Sequence, residues 1–302
     1  MKHIICVLFC LTLNCVFAQS QPEHRWNATL MVVDEIGTPV AGAKIKISYD
    51  MSTNLIVGLT DTNGMFTASC HGDSVDLAFL VDKPGYYHSR INYHLGFDYD
   101  PAIWNPAKTI VLKQIGQPIP MYAKKINAQP PDNGKPIGYD LIVGDWVAPY
   151  GKGINPDILF IREYNRKSLQ DYDYKLTVSF PKAGDGIQEF QVPYKNMEGS
   201  ALRLPHEAPA DGYQPQIVRL NISHTGQKLI FDYDENRNYF LRVRAVLDEN
   251  GNVKSALYGK IYGDFMQFAY YLNSTPNSRN VEFDPKRNLM KNLKPQEGVE
   301  AP

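Results

Sequence analysis

Apolar and polar residues alternate with a period of two along most of this chain. Trp26, Ala28, Leu30 and Val32 interleave with Asn27, Thr29 and Met31, and Ile45, Ile47 and Tyr49 with Lys44, Lys46 and Ser48; Val75, Leu77, Phe79 and Val81 repeat the rhythm. Such alternation predicts strands that bury one face. Gly37-Thr38-Pro39, Asn63-Gly64, Gly72-Asp73 and Pro84-Gly85 separate these runs, and supply the positive or fixed φ that tight turns need. About seven such strands within roughly 90 residues predict an Ig-like β-sandwich.

A boundary is expected from Lys113 to Pro120, where Gly116, Pro118 and Pro120 crowd together, and the Pro-rich stretch Gln129 to Pro136 forms a second connection. Beyond it the period-two pattern returns. Leu176, Val178 and Phe180 oppose Lys175, Thr177 and Ser179; Val218, Leu220 and Ile222 oppose Arg219, Asn221 and Ser223. Leu241, Val243, Ala245 and Leu247 oppose Phe240, Arg242 and Arg244, and Asp248-Glu249-Asn250-Gly251 turns that strand toward Val253 to Asp264 as a hairpin. The expected fold class is therefore all-β, a first sandwich over residues 19–114 and a larger one over 115–290, for which a jelly roll is one arrangement. Residues 291–302 read as a polar C-terminal tail, and no stretch is patterned as a helix.

The N-terminus carries an address. After Lys2 and His3, the 15 residues Ile4 to Ala18 hold no charge and end in Val16-Phe17-Ala18 before Gln19-Ser20, as in a secretory signal peptide cut after Ala18. The run is shorter than the roughly 20 residues a membrane-spanning helix needs. Residues 1–18 hold three of the four cysteines, so Cys70 is left alone after cleavage and no intramolecular disulfide is expected. The protein is expected to be exported, to the periplasm, outer surface or beyond, with no transmembrane segment after cleavage. Lys+Arg 31 against Asp+Glu 32 removes the electrostatic reason to expect nucleic acid as a partner.

Several turns form a familiar ordered set. Val32-Val33-Asp34-Glu35, Gly37, Pro39-Val40-Ala41-Gly42-Ala43, Thr60-Asp61-Thr62-Asn63-Gly64-Met65-Phe66 and Lys83-Pro84-Gly85-Tyr86 resemble the carboxypeptidase regulatory-like module over residues 25–114. The resemblance implies a small transthyretin-like sandwich, grouped with carbohydrate-binding-like folds and without catalytic residues of its own. Gly144 to Gly153, Leu257 to Asp264 and Glu282-Phe283-Asp284-Pro285 are similar to exported bacterial proteins that carry this module in front, relatives from which no activity follows.

Searches for catalytic patterns find none. No histidine has Glu three residues later, and Gly-x-Ser-x-Gly, His-Glu-x-x-His and phosphate-loop spacings are absent. His88 and His94 share a strand parity but stand roughly 20 Å apart along a straight strand. Asp232, Asp234 and Asn236 mimic the start of a calcium loop, yet Arg237 stands where the sharp turn needs Gly and Val243 where a bidentate Glu belongs. No metal and no cofactor is expected, and the chain is read as a non-enzyme.

What remains is aromatic: 19 Tyr, 13 Phe and 3 Trp, residues that suit strands and also stack on sugar rings. The candidate ligand-binding residues are Trp146 and Tyr150 with Asp145 and Lys152 beside them, in a loop bounded by Gly144 and Gly153. Such rings either face a ligand or anchor the loop to the core. The leading functional expectation is an exported binding protein for a carbohydrate or cell-surface component. The alternatives are a structural or assembly protein of the bacterial envelope, with an envelope protein as partner, and an unrecognised hydrolase whose acids converge from distant strands.

Overall fold

The structure, a computed structural model, describes residues 24–49, 55–72, 76–96, 100–126, 129–193, 198–265 and 267–302. The predicted signal peptide, residues 1–18, lies outside the described residues. The fold is all-β, and its helical content among the described residues is the single turn α1 (Pro101–Trp104) and two short 3-10 turns, Pro285–Arg287 and Pro295–Glu297.

The first sandwich is built from β1 (His24–Asp34), β2 (Lys44–Tyr49), β3 (Leu55–Leu59), β4 (Met65–Gly72), β5 (Asp76–Asp82), β6 (Ser89–His94) and β7 (Ala107–Leu112). One sheet has the order β4-β1-β7, with β7 parallel to β1; the other runs β6-β5-β2-β3. The alternating residues Trp26, Ala28, Leu30 and Val32 of β1 are fully buried against Ile45, Ile47, Phe79 and Val81, as the period-two pattern demands.

The second sandwich follows with β8 (Met121–Ile126), β9 (Pro136–Asp140), β10 (Asp145–Trp146), β11 (Ile158–Ser168), β12 (Asp171–Ser179) and β13 (Gly186–Gln191). The chain continues with β14 (Gly199–Ser200), which joins a sheet of the first sandwich, and then β15 (Gln216–Ser223), β16 (Ile230–Phe231), β17 (Arg237–Leu247), β18 (Val253–Tyr262) and β19 (Phe268–Asn273) of the second. A six-stranded sheet, β10-β9-β11-β12-β15-β16, packs on a five-stranded sheet, β13-β17-β18-β19-β8. Between them lie Phe160, Leu176, Val178, Tyr239, Leu241, Ile261 and Tyr270.

The five-stranded sheet is covered on both faces. Its other side packs Phe240, Tyr258, Tyr262 and Tyr271 against Leu204, Phe283 and Val299. This explains why β18 is buried continuously from Ala256 to Tyr262, a pattern expected of strands with two dry faces. It also corrects the reading of residues 291–302 as a polar tail, because Val299 is buried in this cluster and Glu297 pairs with Lys124 at 3.2 Å.

Two predicted strand faces are corrected. On β15 the core-facing residues are Ile217 and Arg219, opposite Val178 and Leu176, so Val218, Leu220 and Ile222 point outward. Arg219 reaches inward because Asp264 (3.0 Å) and Glu189 (3.1 Å) receive its guanidinium. On β17 a register shift follows Val243, where Arg244 adopts φ 56°. Val243 therefore belongs to the core between the sheets while Ala245 belongs to the opposite face, as a bulge requires.

The sandwiches are stitched together beyond their linker. β14 adds to the β6 edge of the first sandwich, Gly199 opposite Arg90 and Ser200 opposite Ser89. The buried carboxylate of Glu282 accepts hydrogen bonds from the Tyr87 hydroxyl (2.6 Å), the Gly116 N–H (2.8 Å) and the Gln117 N–H (2.6 Å). The Lys113 ammonium donates to the Arg203 and Leu204 carbonyls at 3.2 and 3.0 Å.

Candidate functional site

The predicted loop begins as the turn between β9 and β10. The Gly144 N–H donates to the Asp140 carbonyl at 2.8 Å, and the Asp140 carboxylate accepts from the backbone N–H groups of Ile142, Val143, Ile154 and Asn155 at 2.9–3.0 Å. Burial opposes its charge, but these four donors hold the carboxyl below its ordinary range. From β17, Arg244 reaches into the same node, bonding Asp140 at 3.0 Å and Asp157 at 2.8 Å. The two acids are nearly inaccessible, so this ion cluster fixes the base of the loop.

Above that base the chain closes on itself. Asp145 Oδ1 accepts from the Trp146 N–H and Oδ2 from the Lys152 N–H, each at 2.9 Å. A Cβ added at Gly151 would stand 2.5 Å from the Trp146 carbonyl oxygen, and one at Gly153 would stand 2.6 Å from the Asp145 carbonyl oxygen. Only glycine permits that approach.

The four predicted residues share the loop but do not form one flat platform. The Trp146 ring is half-buried, packed edge-on against Tyr139 at 5.0 Å and Phe160 at 5.6 Å. Tyr150 is exposed, and its hydroxyl donates to Asp132 Oδ2 at 2.8 Å. Hydrogen bonds from Lys135 and Tyr150 pull the Asp132 carboxyl down to about 2. Both oxygens of Asp145 are held by backbone, and Lys152 is exposed.

Trp146 and Asp145 border an open cleft of about 340 Å³ whose other wall includes Lys124, Lys125, Lys294 and Glu297. Among these, Lys124 is held by the Gly144 carbonyl (2.8 Å) and Glu297. The pattern of the sequence gave no hint of this wall, because residues 291–302 are far along the chain and look merely polar. The sequence offers a second aromatic candidate in Tyr86, Tyr87, Tyr93 and Trp104, and the structure disperses it: Trp104 is in the core, Tyr87 binds Glu282, and Tyr93 lies under Lys108 at 4.4 Å.

Potential catalytic and metal groups are placed in structural pairs. His88 and His94 bind Asp82 and Asp76 separately, at 2.7 and 2.8 Å. The Asp232 side chain, once a calcium candidate, receives Arg237 at 3.0 Å, the residue that replaces the required Gly. Among the described residues no group of three or more His, Cys, Asp or Glu is placed to hold a metal ion.

A different surface was not read from the sequence. β3 is hydrogen-bonded on one side only, and Leu55, Val57 and Leu59 project from it with 51%, 54% and 64% exposure. At one edge of the second sandwich, Leu229, Phe231 and Tyr233 on and beside β16 are 52%, 51% and 44% exposed. The signal for β3 was the run Leu55-Ile56-Val57, apolar on both parities where an edge strand is ordinarily charged.

No family model matches the chain, and no curated protein matches it. Among solved structures, the chain is similar to 3-chlorocatechol 1,2-dioxygenase from Rhodococcus opacus, with TM-score 0.26 and 13% identity over 32% of this chain and 62% of that one. It is similar to chlorocatechol 1,2-dioxygenase from Pseudomonas putida, with TM-score 0.27 and 12% identity over 32% and 63%. The shaft pilin SpaA from Lactobacillus rhamnosus GG matches with TM-score 0.24 and 10% identity over 74% of this chain and 89% of that one. The chain spans less than two thirds of the dioxygenases it matches, and at these scores none of the three carries a functional argument. Among the described residues no helix is long and apolar enough to cross a membrane.

Proposed function

We propose that this chain is an exported, non-enzymatic structural protein of a bacterial envelope that holds a partner by strand addition at β3. The observation that carries the reading is the asymmetry of the β14-β6-β5-β2-β3 sheet. One edge is already capped by a strand from the other sandwich, while the opposite edge presents Leu55, Val57 and Leu59 to solvent. An added strand would supply main-chain partners for the open edge of β3 and cover its apolar row. The module resemblance of residues 25–114 and the signal-like N-terminus support export and an accessory role. The buried carboxylates Asp140, Asp157, Asp264 and Glu282 are each held by arginines or hydrogen-bond donors of the fold, which supports a non-catalytic reading.

A photo-crosslinking residue placed at position 57 in cells making the protein tests this. An adduct with an envelope component is expected at position 57, and none with the same group at Ile36, an exposed turn residue. Absence of an adduct at 57, or equal adducts at both positions, overturns the reading.

A further inference from the structure

The apolar rows at the β3 and β16 edges match one another. On β3 the apolar row is Leu55, Val57, Leu59; at β16 it is Leu229, Phe231, Tyr233. Each is three side chains at alternate positions, the spacing at which one strand face meets another. The Phe231 and Tyr233 rings lie 5.8 Å apart, as a continuous aromatic strip.

Charge separates the possible pairings. Lys44 and Lys46 stand directly opposite Leu59 and Val57 on β2, so they flank the β3 row on the same face of the sheet. Lys46 is shared with Asp82 at 3.4 Å, and Lys44 is exposed. Asp232 within the β16 row is paired with Arg237 at 3.0 Å and Arg219 at 3.7 Å, and the row runs into Asp234 and Glu235, with Lys228 on its approach. Two β3 edges meeting would bring lysines together, and two β16 edges would bring carboxylates together. A β3 edge against a β16 edge brings opposite signs together.

Resting on the strand-addition reading, we infer that the partner at β3 is the β16 edge of a second copy of this chain. Because the two edges belong to different sandwiches of one chain, the contact is heterologous. Each bound pair still offers one free edge of each kind, so association continues head to tail rather than stopping at a dimer, unless the geometry closes a ring.

Sedimentation velocity of the purified chain from Gln19 to Pro302 over a hundredfold range of concentration tests it, with Val57→Lys and Phe231→Lys as variants. Both positions are half-exposed at an edge, and unchanged melting of each variant checks that it folds. The unsubstituted chain is expected to give a series of species larger than a dimer. Each variant alone is expected to remain monomeric, whereas an equimolar mixture forms heterodimers and nothing larger, since one good edge of each kind survives. Association lost in Val57→Lys but retained in Phe231→Lys would overturn the head-to-tail pairing while leaving strand addition at β3 standing. A chain that stays monomeric at every concentration yet cross-links from position 57 to another protein would overturn a second copy as the occupant. A monomer with no adduct at 57 would overturn both readings.

Discussion

Trp146 meets the core through its ring and the cleft through one border, and the two roles differ in what they cost to remove. With Tyr139 and Phe160 packed edge-on against it, Trp146→Ala is expected to destabilise the fold by about 3 kcal/mol, read by urea unfolding. A variant that melts like the parent would return Trp146 to the role of an exposed recognition ring. Asp185 offers a second test at this scale. Burial raises its carboxyl to about 6, although the N–H groups of Ala245 (2.7 Å) and Arg244 (3.0 Å) bind its charged form. The folded state then holds a proton that the unfolded chain, titrating near 4, has released. Asp185 therefore lowers stability as pH rises from about 4 to 6, with little further change above that window. The stability of Asp185→Asn relative to the parent is expected to increase across this interval by on the order of 2 kcal/mol. A pH-independent difference would show that Asp185 titrates in the folded state as it does in the unfolded chain.

At the scale of elements, the strand with most consequence is β17. Its bulge turns Arg244 out of alternation and across to β9 and the segment before β11, where Asp140 and Asp157 would otherwise be buried charges without a cation. Arg244→Ala is expected to cost about 3–5 kcal/mol, measured by chemical denaturation, with Arg244→Lys recovering part of it because an ammonium cannot bridge both acids in the same fork. Such features bound what the sequence could reveal. Strands with one dry face, such as β1 and β2, were legible because Trp26, Leu30, Ile45 and Ile47 alternate with polar residues. The face of β15 was not, since Arg219 is drawn inward by Asp264 and Glu189, acids 45 and 30 residues away. β14 is two residues long and carries no period at all. The loop from Gly144 to Gly153 was legible as a Gly-bounded aromatic turn; its opposite wall depends on tertiary contacts of Lys294 and Glu297 that no local pattern encodes.

For the whole molecule, Glu282 ties the first sandwich and the linker to the second. Its carboxylate gathers Tyr87 from one side and the N–H groups of Gly116 and Gln117 from the linker itself. Glu282→Ala leaves three donors without their partner, and is expected to cost about 3 kcal/mol. It should also speed proteolytic cleavage within residues 113–120, with Glu282→Gln intermediate because it keeps one acceptor. Cleavage at the parental rate in both variants would mean that the other contacts hold the junction by themselves.

The contribution of β14 also sets an order of events during synthesis. When β6 leaves the ribosome, the residues that will cap its edge are about a hundred positions behind, a delay of roughly 5–20 s at ordinary elongation rates. Throughout that interval the β6-β5-β2-β3 sheet has two bare edges instead of one, and neighbouring nascent chains on one messenger would present the same edge to each other. A chaperone that shields strands, or passage across a membrane before folding, would then protect β6 until Gly199 and Ser200 arrive. The two-residue clip, negligible as a strand, becomes the step that ends the period of greatest risk of misassembly.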